Sequence, residues 1–102
     1  MWEKLLEEFS MYPRDICTVP KLQVEPKWFH VYVEHGNLYV ERAKTHEPSS
    51  TIKHRLRLNS EELDGMKQLY DRRKAGEAIS ALATQQSWMS VYWYGIFSEL
   101  GL

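Results

Sequence analysis

Residues 28–41 constrain the fold of this chain more than any other stretch. Trp28-Phe29-His30-Val31-Tyr32-Val33-Glu34 is dense in aromatic and β-branched residues, with polar groups on alternate positions. That is the pattern of a half-buried strand. His35-Gly36-Asn37 supplies turn chemistry, and Leu38-Tyr39-Val40-Glu41 resumes the alternation. The segment predicts a β-hairpin. Successive strand side chains point to opposite faces. One face therefore carries Phe29, Val31, Val33, Leu38 and Val40 and must join a core. The other carries Trp28, His30, Tyr32, Glu34, Tyr39 and Glu41.

A lone hairpin is marginal in water, so the rest of the chain must cover its apolar face. Residues 51–58 alternate again and predict a third strand, with Ile52, Leu56 and Leu58 inward and Lys53, Arg55 and Arg57 outward. Upstream, residues 2–9 place Trp2, Leu5, Leu6 and Phe9 at helical spacing, with acidic residues in the first turns. Residues 10–27 hold Pro13, Pro20 and Pro26 and read as an irregular connection, as residues 44–50 read as a loop. Downstream, Asn59 or Ser60 caps a helix, with Glu62 placed for a capping box. Leu63, Met66, Leu69 and Tyr70 form its apolar stripe, and Gly76 ends it. Residues 77–100 read as helical, either as one long helix or as two broken near Ser87. The expected fold is a single α+β domain over residues 1–102. It has a three-stranded antiparallel sheet (hairpin 28–41 plus strand 51–58), a short N-terminal helix and a C-terminal helical hairpin.

At 102 residues the chain can bury a core without staples. Its one cysteine, Cys17, cannot form an internal disulfide and is expected to be a buried thiol. No stretch approaches the ~20 apolar residues of a membrane span, and Met1-Trp2-Glu3-Lys4 opens no signal-like run. The expected location is the cytoplasm, away from membranes.

Chemistry is sparse in the sequence. His30, His35, His46 and His54 fall in separate settings, none at metal-ligand spacing with Cys, Asp or Glu. His30 and Glu41 are expected as cross-strand neighbours, a surface pair. His54 is in phase with Ile52 and Leu56 and is expected at the core edge. Ser49 and Ser50 lack a glycine-framed nucleophile turn. Catalysis requires titratable groups converging in a pocket, and only a sheet assembly of His30, Glu41 and His54 offers one. The expectation is a binding protein and not an enzyme, with no metal or cofactor.

Two surfaces are candidates for binding. The run Trp88–Phe97 is apolar almost all round, and a helix of that kind is buried on most sides. In so small a domain the leftover side is a candidate subunit interface, formed by Trp88, Tyr92, Trp93, Tyr94 and Phe97. Two-fold homodimers are the commonest oligomers, so a dimer is expected; a separate protein partner also fits. The alternative is that the N-terminal helix and the sheet cover this side.

The second surface follows from charge. Net charge is −1, but residues 1–41 carry four Lys/Arg against seven Asp/Glu, whereas residues 42–74 carry nine against five. Trp28, Tyr32 and Tyr39 would share the outer sheet face with Lys53, Arg55 and Arg57, a platform suited to stacking bases and meeting phosphates. The N-terminal helix or a second copy could instead cover that face. Residues 61–100 loosely resemble a helix-turn-helix: Leu82, Ala83, Trp88, Trp93 and Ile96 fit apolar or small positions, and Arg72, Arg73 and Lys74 would grip the backbone. Gln86 and Ser87 depart from the pattern, and no Lys or Arg follows Lys74. A recognition helix without cations reads phosphate and guanine poorly, so a plain helical hairpin is preferred. Nucleic-acid binding stands as the second reading, behind self-association.

Overall fold

The computed structural model describes residues 1–20 and 24–102. Helix α1 (Trp2–Met11) leads into strand β1 (Arg14–Cys17), followed by β2 (Trp28–Glu34), β3 (Asn37–Arg42) and β4 (Leu56–Arg57). A 3-10 turn at Ser60–Glu62 precedes helices α2 (Leu63–Lys74), α3 (Ser80–Gln86) and α4 (Ser90–Glu99). The sheet is antiparallel in the order β1-β2-β3-β4. The α+β class is as expected, with one strand more than the three anticipated.

The hairpin forms as its alternation dictates. Tyr32 pairs with Tyr39 and Val31 with Val40. The turn tightens to His35-Gly36, with φ of 51° and 76°, the left-handed pair that a two-residue hairpin of right-handed twist requires. Phe29, Val31, Leu38 and Val40 are fully buried, while Val33, near the hairpin end, is half-buried.

The additional strand, β1, lies in the proline-marked stretch read above as irregular. Pro13 sits just before it, where a missing N–H removes no ladder bond, and β1 is an edge strand, where prolines are tolerated. Ile16 turns inward and Asp15 outward. The strand expected at 51–58 shrinks to the two residues of β4, which pair with Tyr39 and Val40. Ile52 and Leu58 still reach the core, but the backbone between them bends, and His54 lies exposed in solvent instead of at the core edge.

Helix α2 buries Leu63, Met66, Leu69 and Tyr70, the expected stripe. It ends before Gly76, whose φ is +92°. Asn59 caps the 3-10 turn that leads into α2, accepting from the Glu61 backbone N–H at 3.0 Å, and α2 itself has no side-chain cap. Glu62 does not close a capping box; it accepts from Ser87 Oγ at 3.0 Å and Trp93 Nε1 at 3.3 Å. Ser87 is extended (φ −159°) and separates α3 from α4, so residues 77–100 form two helices.

Helix α4 is the centre of the core. Rings from three other elements meet it: Trp2 of α1 lies 6.4 Å from Trp93, Phe29 of β2 meets Tyr92 edge-on at 5.0 Å, and Tyr70 of α2 lies 5.4 Å from Phe97. Gly95 lets the helix approach the sheet. A Cβ there would stand 2.6 Å from the Cys17 carbonyl oxygen and 2.9 Å from the Phe29 ring.

Candidate functional site

The outer sheet face carries the side chains that alternation assigned to it. Trp28, His30, Tyr32, Glu34, Tyr39 and Glu41 are all partly exposed. Helix α1 does not lie over them; its Leu5 and Phe9 join the inner-face core. The segment after β3 folds back instead. Trp28 exchanges backbone hydrogen bonds with Pro48 and Ser50, each 2.8 Å, taking the place that β3 vacates after Arg42.

That fold-back is held by Asp15, a residue that sequence reasoning passed over. Its side chain is only 2% exposed. The carboxylate accepts from the backbone N–H of Lys44 at 3.0 Å, of Thr45 at 2.8 Å and of His46 at 3.2 Å. It also meets His30 Nδ1 at 2.8 Å and His46 Nδ1 at 3.0 Å. A carboxylate only accepts, so both imidazoles present N–H at Nδ1. Burial alone pushes the Asp15 carboxyl up. The Thr45 N–H, the His46 imidazole, the Lys44 N–H and the His30 imidazole outweigh it and hold the carboxyl well below the usual carboxylate range. No sequence pattern marks such a group, because three of its six donors among the described residues are backbone N–H groups and five of the six lie about thirty residues away.

Two rings of the expected stacking platform are covered, one by the fold-back and one by the segment leading into β4. His46 stacks on Trp28 at 4.0 Å with 21° between the planes. Arg55 lies 4.0 Å over Tyr39. Tyr39 in turn stacks beside Tyr32 at 5.6 Å. Arg55 also binds the Glu34 carboxylate and donates to the Tyr32 hydroxyl at 3.3 Å. This guanidinium holds the exposed Glu34 carboxyl below its ordinary value. His30 and Glu41 do face one another across β2 and β3, but it is Asp15, not Glu41 or His54, that binds the imidazole.

Of the other platform cations, Lys53 and Arg57 are exposed, and Arg57 pairs with Tyr39 across the sheet. The cations at the end of α2 are engaged. Arg72 bonds Glu77 at 3.0 Å. Arg73 donates to the Val19 carbonyl at 2.6 Å and lies over Tyr94. Lys74 donates to the Leu102 carbonyl at 2.9 Å. In the helix-turn-helix reading α4 would enter the groove, yet its exposed positions are Val91, Ser98 and Glu99, none of them cationic.

The expected interface separates into two parts. Tyr92, Trp93, Tyr94 and Phe97 are buried in the chain's own core. The premise that so small a domain could not surround one helix fails, because aromatic side chains from α1, β2 and α2 are large enough to enclose it. Trp88 alone of the five remains open, 66% exposed in the turn before α4. Leu82 and Val91 near it in sequence are also exposed. Val91 walls a groove of about 210 Å³ with Val19, Pro20 and Val24.

Cys17 is half-buried, its thiol pushed up by burial and by the nearby Glu99, which leaves it a poor nucleophile. Among the described residues no three His, Cys, Asp or Glu side chains could hold a metal ion together, and no helix is long and apolar enough to cross a membrane. No family model, curated protein or solved structure matches this chain.

Proposed function

We propose that this chain is a non-enzymatic interaction protein that self-associates through the surface around Trp88. The observation that carries the reading is the exposure of Trp88 on a helical corner whose other large aromatics are buried. Tryptophan is the residue type most enriched at binding hot spots, and an open indole in water is available to a partner. Charge favours a second copy as that partner. No Asp, Glu, Lys, Arg or His lies between Glu77 and Glu99. In a two-fold contact each patch meets itself, and like charges would oppose one another; residues 78–98 supply none, and the groove beside Val91 adds one of each sign, Glu25 and Lys27. A contact centred on one tryptophan belongs to the weak class, with a dissociation constant on the order of micromolar or above.

The nucleic-acid reading has less support. Two of its three stacking rings are already covered, and Arg55, Arg72 and Arg73 are already bonded to carboxylates or carbonyls. Lys53 and Arg57 alone are a thin phosphate contact set.

Sedimentation velocity over a concentration series tests the self-association reading. The expected result is a sedimentation coefficient that rises toward that of a dimer as concentration enters the high micromolar range. A monomer throughout would overturn it.

A further inference from the structure

A cleft of about 530 Å³ opens beside β2 at the C-terminal end of α1, walled by the inner-face residues Phe9 and Val33 as well as by outer-face side chains of β2 and β3. Its polar walls are His30, Tyr32, Glu34, Glu41, Lys44 and Arg55. The protein's own Arg55 demonstrates what this surface holds. Its guanidinium has the Tyr39 ring beneath it at 4.0 Å, the Glu34 carboxylate beside it and the Tyr32 hydroxyl at 3.3 Å. Ring face, carboxylate and oxygen acceptor together form a seat for a planar cation.

The same components recur one strand position further along. The Tyr32 ring stacks beside Tyr39 at 5.6 Å, has the His30 ring tilted against it at 5.9 Å, and lines the cleft with what remains. Glu41 lines it too, and makes no hydrogen bond or ion pair among the described residues. His30 stands opposite Glu41 in the sheet, with its Nδ1 committed to Asp15. Asp15 is buried and fully bonded, which fixes the imidazole in place and adds negative charge behind it. Two carboxylates line the cleft, Glu34 and Glu41, and Glu34 is already paired with Arg55, which leaves Glu41 as the open one.

We propose that the cleft is a recognition site for a basic peptide side chain, an arginine or lysine of a partner protein, with Glu41 as its counter-charge and Tyr32 as its ring face. The site is separate from the Trp88 surface and does not depend on it. Lys44 is the one cleft cation without a partner among the described residues, and it opposes such a ligand. Its removal is expected to tighten binding.

The test is fluorescence anisotropy of a labelled oligoarginine peptide with the full chain at moderate salt. An oligoglutamate peptide and a single-stranded oligodeoxynucleotide serve as comparisons. The oligoarginine peptide is expected to bind. Glu41→Gln should weaken it by about fivefold and Tyr32→Leu by about threefold, as expected for one partly desolvated ion pair and one cation–π contact. Lys44→Ala should strengthen it by about twofold. Glu61→Gln removes the same charge outside the cleft and should leave binding unchanged. Equal weakening by Glu41→Gln and Glu61→Gln would reduce the effect to general attraction and overturn the proposal. So would preference for the oligodeoxynucleotide, or loss of binding in Lys44→Ala. Should Glu41→Gln fail to fold, amide shifts of the unaltered protein decide: oligoarginine must move the signals of Tyr32 and Glu41 first, and movement confined to other residues contradicts the site.

Discussion

Helix α4 and the outer sheet face are the two aromatic-rich regions of this molecule, and they use their rings in opposite ways. On α4, Tyr92, Trp93 and Phe97 are locked among rings from α1, β2 and α2. On the sheet, Trp28 and Tyr39 are each covered by one polar side chain, His46 and Arg55, and stay partly open. The first arrangement stabilises by burial, and the second leaves rings that are covered on one side and partly open to solvent. Composition does not distinguish them; the difference lies in what the rest of the chain can bring to each.

The largest effects should follow from the buried side of that contrast. Trp93→Ala should cost about 3–5 kcal/mol in urea unfolding, the usual toll for emptying a large aromatic site. Trp88→Ala, only a few residues away, should change monomer stability by no more than about 0.5 kcal/mol. Equal effects would erase the distinction between core and surface on this segment.

Asp15→Asn should cost about 2 kcal/mol at neutral pH, because several donors lose a charged acceptor. The folded-state value of Asp15 is depressed, so its stabilising contribution is complete above the ordinary value of 3.8 and is lost as pH falls through the folded value. The gap in urea midpoint between the natural chain and Asp15→Asn should therefore narrow once pH drops below 3.8. A gap that stays constant down to acid pH would mean the carboxylate charge is not what holds the 43–50 segment.

Gly95→Ala should cost about 1–3 kcal/mol, since the added methyl meets a backbone oxygen that cannot move aside. Smaller still, and of opposite sign, is Tyr94→Phe. The Tyr94 hydroxyl is buried without a hydrogen-bond partner among the described residues, so its removal should stabilise by about 1 kcal/mol, read as a higher urea midpoint.

The parts of the fold that were legible in the sequence share a short, strict period. Alternation over 28–41 gave both faces of the hairpin correctly, and the stripe Leu63, Met66, Leu69 and Tyr70 gave the buried side of α2. Strand β1 is four residues long and flanked by prolines, too short for a period to emerge. Helix α4 is apolar on nearly every side, so its sequence carries no direction, and only packing shows which positions face solvent. The Asp15 cage draws three backbone N–H groups from a distant loop, which leave no trace in side-chain pattern. Half of the sheet site was therefore visible, as Tyr32, Tyr39 and Arg55. The residue that organises it was not.

The most direct measurement compares Trp88→Glu and Trp93→Glu in one sedimentation and circular dichroism experiment at high micromolar concentration. Self-association through the Trp88 surface requires Trp88→Glu to be a folded monomer while the natural chain is a dimer. Trp93→Glu, with a charge forced into the core, should lose its fold. A Trp88→Glu variant that remains dimeric, or a Trp93→Glu variant that folds and is merely monomeric, would contradict the account.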